Sequence, residues 1–411
     1  AGRSMTRWIF SLALNLLLYG GFIATLTHGK VVSVYFASRH GTRAPNPILA
    51  QICPGLHPTL KRFEEIGISP AGVTGNGLRE MYSVGVFARE RYVKEEGLLS
   101  EYWDPLQIRM VAAAEDRTLQ SGSAFGQGMY GGPPHFENYR EPVPIAMNAT
   151  KGQDNLGEAR KGACLARLAS DSAKWDEEFG VPYWRKHSEV IKELSDMCGV
   201  DLKLSLDYSD GLENMGDAIK DVTDAMMFAI REGFPLQFNM TLFAKARMIA
   251  LKQLYGRLLG TREQQTYMVG LFPEAMKTHF ERAIEKDPLR HAIFGYHGHR
   301  ELLYALSSFF HFSFNFPQVG FYKHGIPSAT TLFFELHDLD ETEAKQAGVS
   351  GSGHYVRLVV FAPCPAVTTV SKGPAEILCN GQAYRLGFHP DSDFVPYEKF
   401  KYHLASRVEE T

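Results

Sequence analysis

The alternation of apolar and polar positions divides the chain into short buried strands, each ending abruptly at charge, and longer two-faced helices. Residues 30–36, KVVSVYF, form the β-branched and aromatic run that a strand covered on both faces needs, and the run stops at Ser38-Arg39-His40-Gly41. Thr74 stands where it can N-cap a helix reaching about Tyr92. Leu78, Met81, Tyr82, Val84 and Phe87 lie on one side of that helix, and Arg79, Glu80, Arg89 and Glu90 on the other. The apolar stretch 106–114 leads into Glu115-Asp116-Arg117, and 292–296 leads into His297-Gly298-His299-Arg300. Residues 272–284 and 301–310 carry helical periodicity. Residues 330–336 and 355–362 predict two antiparallel strands joined by an acidic, glycine-rich loop, which puts His337-Asp338 in a surface turn.

Residues 131–157 are rich in turn formers and read as a surface connection, whereas 158 to about 260 show helical patterning without strand alternation. The expected organisation is an α/β core over 30–155 and 266–411, with a helical cap inserted at 156–265. Its centre is a mostly parallel sheet flanked by helices. The aromatic run Phe309, Phe310, Phe312, Phe314, Phe316 and Phe321 reads as packing.

The composition, 45% hydrophobic and 22% charged over 411 residues, is that of a folded chain rather than a disordered one. A formal charge of -3, from 43 Lys+Arg against 46 Asp+Glu, lacks the basic surplus that a nucleic-acid binder needs. Residues 1–29 read as a secretory signal: Met5 and Arg7 precede an uncharged run over 8–27, with a signal anchor as the competing reading. The expected location is the secretory pathway, as a secreted, lysosomal or endosomal luminal, or cell-surface protein. In that compartment the five cysteines favour disulfides, two bridges and one leftover thiol, and Asn148 and Asn239 lie in glycosylation sequons.

Three strand ends deliver Arg39, His40 and Arg43, then Arg117, then His299. Ligands of open α/β sheets sit beyond the carboxyl ends of the strands, so these groups are candidates to meet in one crevice. Three guanidinium groups around an imidazole suit a phosphate, because arginine binds its oxygens in pairs and a neutral histidine nitrogen attacks phosphorus.

The segment RHGTRAP, with Arg39, His40, Arg43 and Pro45, resembles the RHGxRxP signature of the histidine acid phosphatases, the second branch of the histidine phosphatase superfamily. Thr74, Gly77, Leu78, Gly85 and the Arg89-Glu90-Arg91-Tyr92 segment are similar to that family's LTxxG helix. Residues 115–119, EDRTL, are similar to its DxDRTL segment, and 254–256, LYG, to its return from the cap. The resemblance implies the phosphoglycerate-mutase-like α/β fold and hydrolysis of phosphate monoesters through a phosphohistidine on His40. It makes Arg39, Arg43, Arg117 and His299 the phosphate ligands, and it requires neither a metal nor an organic cofactor.

One departure stands out. Tyr296-His297-Gly298-His299 is similar to the family's Tyr-Ser-Ala-His, and in that register Arg300 replaces the catalytic aspartate. An arginine does not protonate a leaving alkoxide, since its pKa exceeds about 12. Glu301 resembles the donor of the His-Ala-Glu subgroup and is the candidate acid; the alternative is a catalytically impaired, anion-binding relative or surface protein. The resemblance also implies a Cys164–Cys379 bridge, with Cys364–Cys379 as the alternative, Cys198 as a further candidate and Cys53 as the free thiol. The expected partner is a phosphate monoester; a homodimer stays open.

Overall fold

The computed structural model describes residues 29–131, 143–202, 215–314, 325–363 and 381–409. Most of the leader, Phe316, Phe321, Cys364 and Cys379 lie outside the described residues.

Eight strands form one sheet: β1 (Lys30–Arg39), β2 (Ile108–Ala112), β3 (Ala146–Met147), β4 (Ile293–Gly298), β5 (Thr331–Leu339), β6 (Gly353–Phe361), β7 (Gln382–Tyr384) and β8 (Phe394–Pro396). Their order is β3-β2-β4-β1-β5-β6-β7, with β8 also pairing β6. The half containing β3, β2, β4 and β1 is parallel, and β5 runs against both β1 and β6. Strand β6 therefore points the same way as β1, so five of the eight strands share one direction, as a mixed α/β sheet of mostly parallel strands.

The β1 run is apolar throughout because both of its faces are covered. Tyr35 and Ala37 enter one apolar cluster, while Val34 and Phe36 enter another on the opposite face. Helices α1 (Gly75–Arg89) and α2 (Asp116–Tyr130) pack on the Phe36 side. The α1 start follows the sequence expectation, with Thr74 Oγ1 accepting from Gly77 N at 3.0 Å.

Every described element between 159 and 268 is helical, including α3 (Leu165–Trp175), α4 (Ser188–Cys198), α5 (Met215–Glu232), α6 (Met240–Leu259) and α7 (Arg262–Met268). These helices are not packed as an isolated lobe. Phe228 of α5 and Phe243 of α6 belong to the same apolar cluster as Tyr35 and Ala37 of the sheet. Helices α8 (Phe272–Ile284), α9 (Arg300–Phe309) and α10 (Tyr397–Glu409) complete the core.

Two sequence expectations need correcting. His337 is not in a surface turn: β5 continues to Leu339, opposite Gly353 of β6, and His337 is fully buried. Its Nε2 lies 3.0 Å from Glu335, which also accepts from Arg91 Nη2 at 2.7 Å and Tyr92 Oη at 2.8 Å, so a polar residue can be buried there because its partners are buried with it. The cysteine assignment also changes. Cys53, expected free, is bonded to Cys198, and Cys164, expected to pair with Cys379, is a free thiol. The cause is local packing. A Cβ on Gly55 would lie 1.9 Å from the Met197 carbonyl oxygen, so the 53–56 turn presses directly against the end of α4 and brings Cys53 onto Cys198.

Of the two sequons, Asn239 is exposed and N-caps α6, its Oδ1 accepting from Leu242 N at 2.7 Å. Asn148 is half-buried and donates to Asp154 at 2.8 Å.

Candidate active site

The sheet order brings three loops to one end. Arg39 at the end of β1 is in register with Gly298 at the end of β4, and His40 N donates to Gly298 O at 2.9 Å. On the other side of β4, Ala113 N donates to His297 O at 3.0 Å, which sets the 115–117 segment beside the same edge. His40, His299 and Arg117 thus leave adjacent strands, the convergence that the sequence pattern predicted. Arg117 sits in the first turn of α2, and His299 N-caps α9, so two helix N-termini also face the anion-binding end.

The loop after β1 is held by a close backbone contact. A Cβ on Gly41 would lie 2.1 Å from Gly77 O, and one on Gly77 would lie 2.1 Å from Thr42 O. Both positions therefore require glycine, and the glycines in RHG and TGNG are two halves of one contact. Glu80 fixes the next residue, accepting from Thr42 N at 2.8 Å and from Thr42 Oγ1 at 2.9 Å.

The His40 and His299 rings stand edge-to-face with centroids 5.4 Å apart, and both residues are buried. His40 Nδ1 is 2.8 Å from Gly41 O. A carbonyl only accepts, so Nδ1 carries the hydrogen and Nε2 keeps its lone pair. Burial, reinforced by Arg39, Arg117 and Arg43, holds the His40 pKa well below its ordinary value. His299 is lowered in the same direction, by burial and then by Arg117.

Arg39 donates to Ile326 O at 2.5 Å, and Arg43 donates to Ala44 O at 2.7 Å while lying 4.9 Å over the Phe228 ring. The Nε atoms of Arg39, Arg43 and Arg117 are buried without a hydrogen-bond partner. Burial, with neighbouring guanidinium groups, brings Arg39 down to about 9 and Arg43 down to about 10. Desolvated cations held together in this way are relieved by a bound anion. Arg117 is partly engaged, its Nη2 contacting the Glu115 carboxylate.

The two residues after His299 behave differently from the simple expectation. Arg300 Nη1 and Nη2 donate to the two oxygens of Asp224 at 2.6 and 2.7 Å, and Arg247 Nη1 reaches the same carboxylate at 2.9 Å. Glu301 lies 3.7 Å from Arg160 Nη2 and 3.7 Å from Arg300 Nε. Burial favours its neutral form, but Arg160, Arg300 and Lys220 outweigh that and hold its pKa well below the ordinary carboxylate range. Glu301, the expected acid, is thus a carboxylate in the unliganded site.

Sequence reasoning missed the contribution of α5. Asp221, Asp224, Phe228 and Arg231 recur at i, i+3, i+7 and i+10, one face of a helix. Asp221 accepts from Asn46 at 3.1 Å, Asp224 holds Arg300, Phe228 lies under Arg43, and Arg231 Nε donates to Glu80 at 2.8 Å. The recurrence of Asp221, Asp224, Phe228 and Arg231 on one face was the available signal. It also missed Glu158 and Lys161, whose side chains lie close to Glu115.

Fold and site together place a buried histidine pair and a cluster of arginines at the carboxyl end of an α/β sheet, covered by helices. The chain belongs to the histidine phosphatase superfamily (branch 2), whose family profile matches residues 61–360. That stretch begins after the 39–45 loop, so the role of His40 rests on geometry and motif. Among curated proteins no sequence match is found. The chain is similar in structure to the Citrobacter braakii phytase, with a TM-score of 0.66 and 14% identity over 92% of this chain and 97% of that one. It is similarly close to the Hafnia alvei phytase in its apo form, at 0.66 and 14% over 94% and 99%. The Bifidobacterium longum multiple inositol polyphosphate phosphatase matches at 0.50 and 12% over 83% and 88%.

Proposed function

We propose that this protein hydrolyses phosphate monoesters through a phosphohistidine on His40. The observation that carries this reading is the free Nε2 lone pair of a buried, neutral imidazole set among buried guanidinium groups with unpartnered Nε atoms. Arg39, Arg43, Arg117 and His299 bind the phosphoryl oxygens. The Nε2 lone pair of His40 attacks phosphorus, the ester P–O bond breaks, and the leaving oxygen takes a proton from Glu301. Water then attacks phosphorus, the P–N bond breaks, and phosphate departs with His40 restored. Glu301 gains its proton as the incoming phosphate dianion offsets the cations that hold it ionised.

A second reading is favoured by one observation, the Arg300–Asp224 pair standing where the family resemblance predicts an acid. On that reading the site binds phosphate groups but turns them over slowly. The test is phosphate release from an aryl phosphate, an alkyl phosphate and inositol hexakisphosphate between pH 4 and 7; the last is included because similar structures are phytases. Labelled substrate with an alkaline denaturing quench should leave phosphate on His40, and His40→Ala should abolish both label and turnover. Full activity in His40→Ala removes the mechanism; label without turnover favours the second reading. We also propose passage through the secretory pathway, a reading supported by the leader pattern, the exposed sequon at Asn239 and the Cys53–Cys198 pair.

A further inference from the structure

Beside the phosphate site lies a second cluster of ligand-type atoms. Glu115 precedes the first turn of α2, Glu158 precedes the 159–161 turn, and His299 precedes α9. One ligand atom from each lies within 4.8 Å of the others. His299 Nε2 is 3.5 Å from Glu115 Oε2 and 3.9 Å from Glu158 Oε1, and it is buried without a hydrogen-bond partner. The His299 and Glu158 side chains are 4% and 6% exposed, so the cluster is not a solvated acidic patch.

We propose that Glu115, Glu158 and His299 form a binding site for a divalent transition-metal ion of zinc-like preference, and that its occupation shuts the phosphate site. Two carboxylate oxygens and an imidazole nitrogen are a zinc-type donor set. Metal–ligand bonds of about 2.1 Å in a tetrahedron place ligand atoms about 3.4 Å apart. The His299–Glu115 separation of 3.5 Å already meets that; Glu158 needs to close on His299 by about half an ångström from 3.9 Å, and the two carboxylates, whose ligand atoms lie within 4.8 Å, must close on each other as well.

A positive group already occupies the neighbourhood. Lys161 Nζ bridges the carboxylates, 2.7 Å from Glu115 Oε1 and 2.6 Å from Glu158 Oε2, so the two acids are organised around a cation. The oxygens nearest His299 are the other pair, contacted by Arg117 on Glu115 and by Arg160 at 3.4 Å on Glu158. The metal must compete with these two side chains, which are 18% and 23% exposed. Binding needs His299 Nε2 without its hydrogen, so that nitrogen can no longer donate to a phosphoryl oxygen. On the reading of His299 as a phosphate ligand, the metal therefore inhibits by removing that ligand and placing its own charge between His299 and the carboxylates.

Equilibrium dialysis of the full chain against zinc reads the site without reference to turnover, and the visible absorption of bound cobalt(II) reads its geometry. About one zinc per chain is expected. Affinity should fall at least tenfold in both His299→Ala and Glu158→Gln, and rise in Lys161→Met, which removes a competing charge without removing a ligand. Zinc should inhibit phosphate release, and EDTA should restore it. Metal binding that survives both ligand substitutions, or absence of binding in wild type and Lys161→Met alike, overturns the proposal. Ligand-dependent zinc binding in a protein with no phosphatase activity would leave this site standing and remove the hydrolase reading, while zinc-insensitive hydrolysis without bound metal would do the reverse.

Discussion

Arg300→Asp places a carboxylate where the family resemblance puts the proton donor, and the structure predicts that this change alone damages the protein. Arg300 forms a two-pronged pair with Asp224, and the two side chains are 6% and 5% exposed. The substitution removes the main partner of a buried carboxylate and sets a second carboxylate facing it. Removing one member of a buried pair costs about 3–5 kcal/mol. Arg247 at 2.9 Å remains on Asp224 and limits the loss, while the new repulsion adds to it. At about 2 °C per kcal/mol for a chain of this size, the melting temperature should fall by roughly 6–10 °C. Arg300→Asp combined with Asp224→Asn removes the repulsion and should recover most of that, giving a coupling energy of at least about 2 kcal/mol in the double-mutant cycle. The double variant carries an acid at the start of α9 and should release alkyl phosphates at least about tenfold faster than wild type, within the usual range for a general acid. Thermal unfolding and turnover of one alkyl and one aryl phosphate make the assay. If Arg300→Asp melts within about 2 °C of wild type and the cycle closes within about 0.5 kcal/mol, the pair does not tie α9 to α5 and the reasoning fails.

Further outcomes follow from the same geometry. Glu301→Gln should lower alkyl phosphate turnover by about 10²-fold and affect aryl phosphates much less, because a phenolate leaves with little help; equal losses on both would remove Glu301 as the donor. Burial and nearby arginines hold the His40 pKa well below its ordinary value, so kcat/KM should show no loss attributable to His40 as pH falls through 6.5. Stability should behave differently: burial lowers His279 to about 4, His297 to about 3 and His403 to about 4. Each pKa lies below its unfolded value, so the unfolded chain binds more protons in between. The stabilisation is complete above about pH 6.5 and is lost as pH falls toward 4, at up to about 1.4 kcal/mol per pH unit for each group; a urea midpoint unchanged between pH 7 and 4.5 contradicts this. Non-reducing peptide mapping should recover Cys53 joined to Cys198, and loss of that bond, which closes a loop with a sequence separation of 145, should cost up to about 5 kcal/mol.

The sheet and the loop chemistry were legible because each central strand combines an apolar run with an abrupt change to charge. Residues 30–36 and 292–296 show this, and β1 and β4 do place His40 beside His299. Helix starts at Thr74 and at residue 272 were legible from local capping and periodicity. What stayed hidden depends on contacts between distant segments. Asp224 lies 76 residues before its partner Arg300, and Glu335 lies 244 residues after Arg91. His337 read as a turn residue because nothing next to it in the chain reveals Arg91 and Tyr92, which bury Glu335 beside it. Cys53 read as free on the family resemblance, and the pressing of Gly55 against Met197, a contact between segments whose cysteines are 145 residues apart, has no signal in the local sequence.

Arg300 changes the charge balance of the site less than the sequence suggests. Read along the chain, Arg300 adds a fourth guanidinium to Arg39, Arg43 and Arg117 and promises tighter phosphate binding. In the folded protein Asp224 cancels that charge across the crevice: burial works to protonate Asp224, but Arg300, Lys220 and Arg247 outweigh it and keep it ionised. Arg117 is likewise shared with Glu115. The attraction for phosphate therefore falls mainly on Arg39 and Arg43, whose side-chain bonds go to the neutral carbonyls of Ile326 and Ala44 and whose pKa values are pulled down to about 9 and 10. On the proposed mechanism, binding and leaving-group protonation therefore fall to different groups, with Arg39 and Arg43 holding the phosphoryl oxygens whichever residue stands at 300. The Asp224 carboxylate on α5 serves as a strut, and it cannot serve as an acid while two guanidinium groups bond it. Protonation then depends on Glu301 alone among the groups assigned to the step, and its proton arrives with the substrate's own negative charge. On the proposed mechanism such a site accepts many phosphate esters at the binding step and discriminates among them at the leaving group, so the alkyl-to-aryl turnover ratio, rather than phosphate affinity, is the quantity that a change at Arg300 should move.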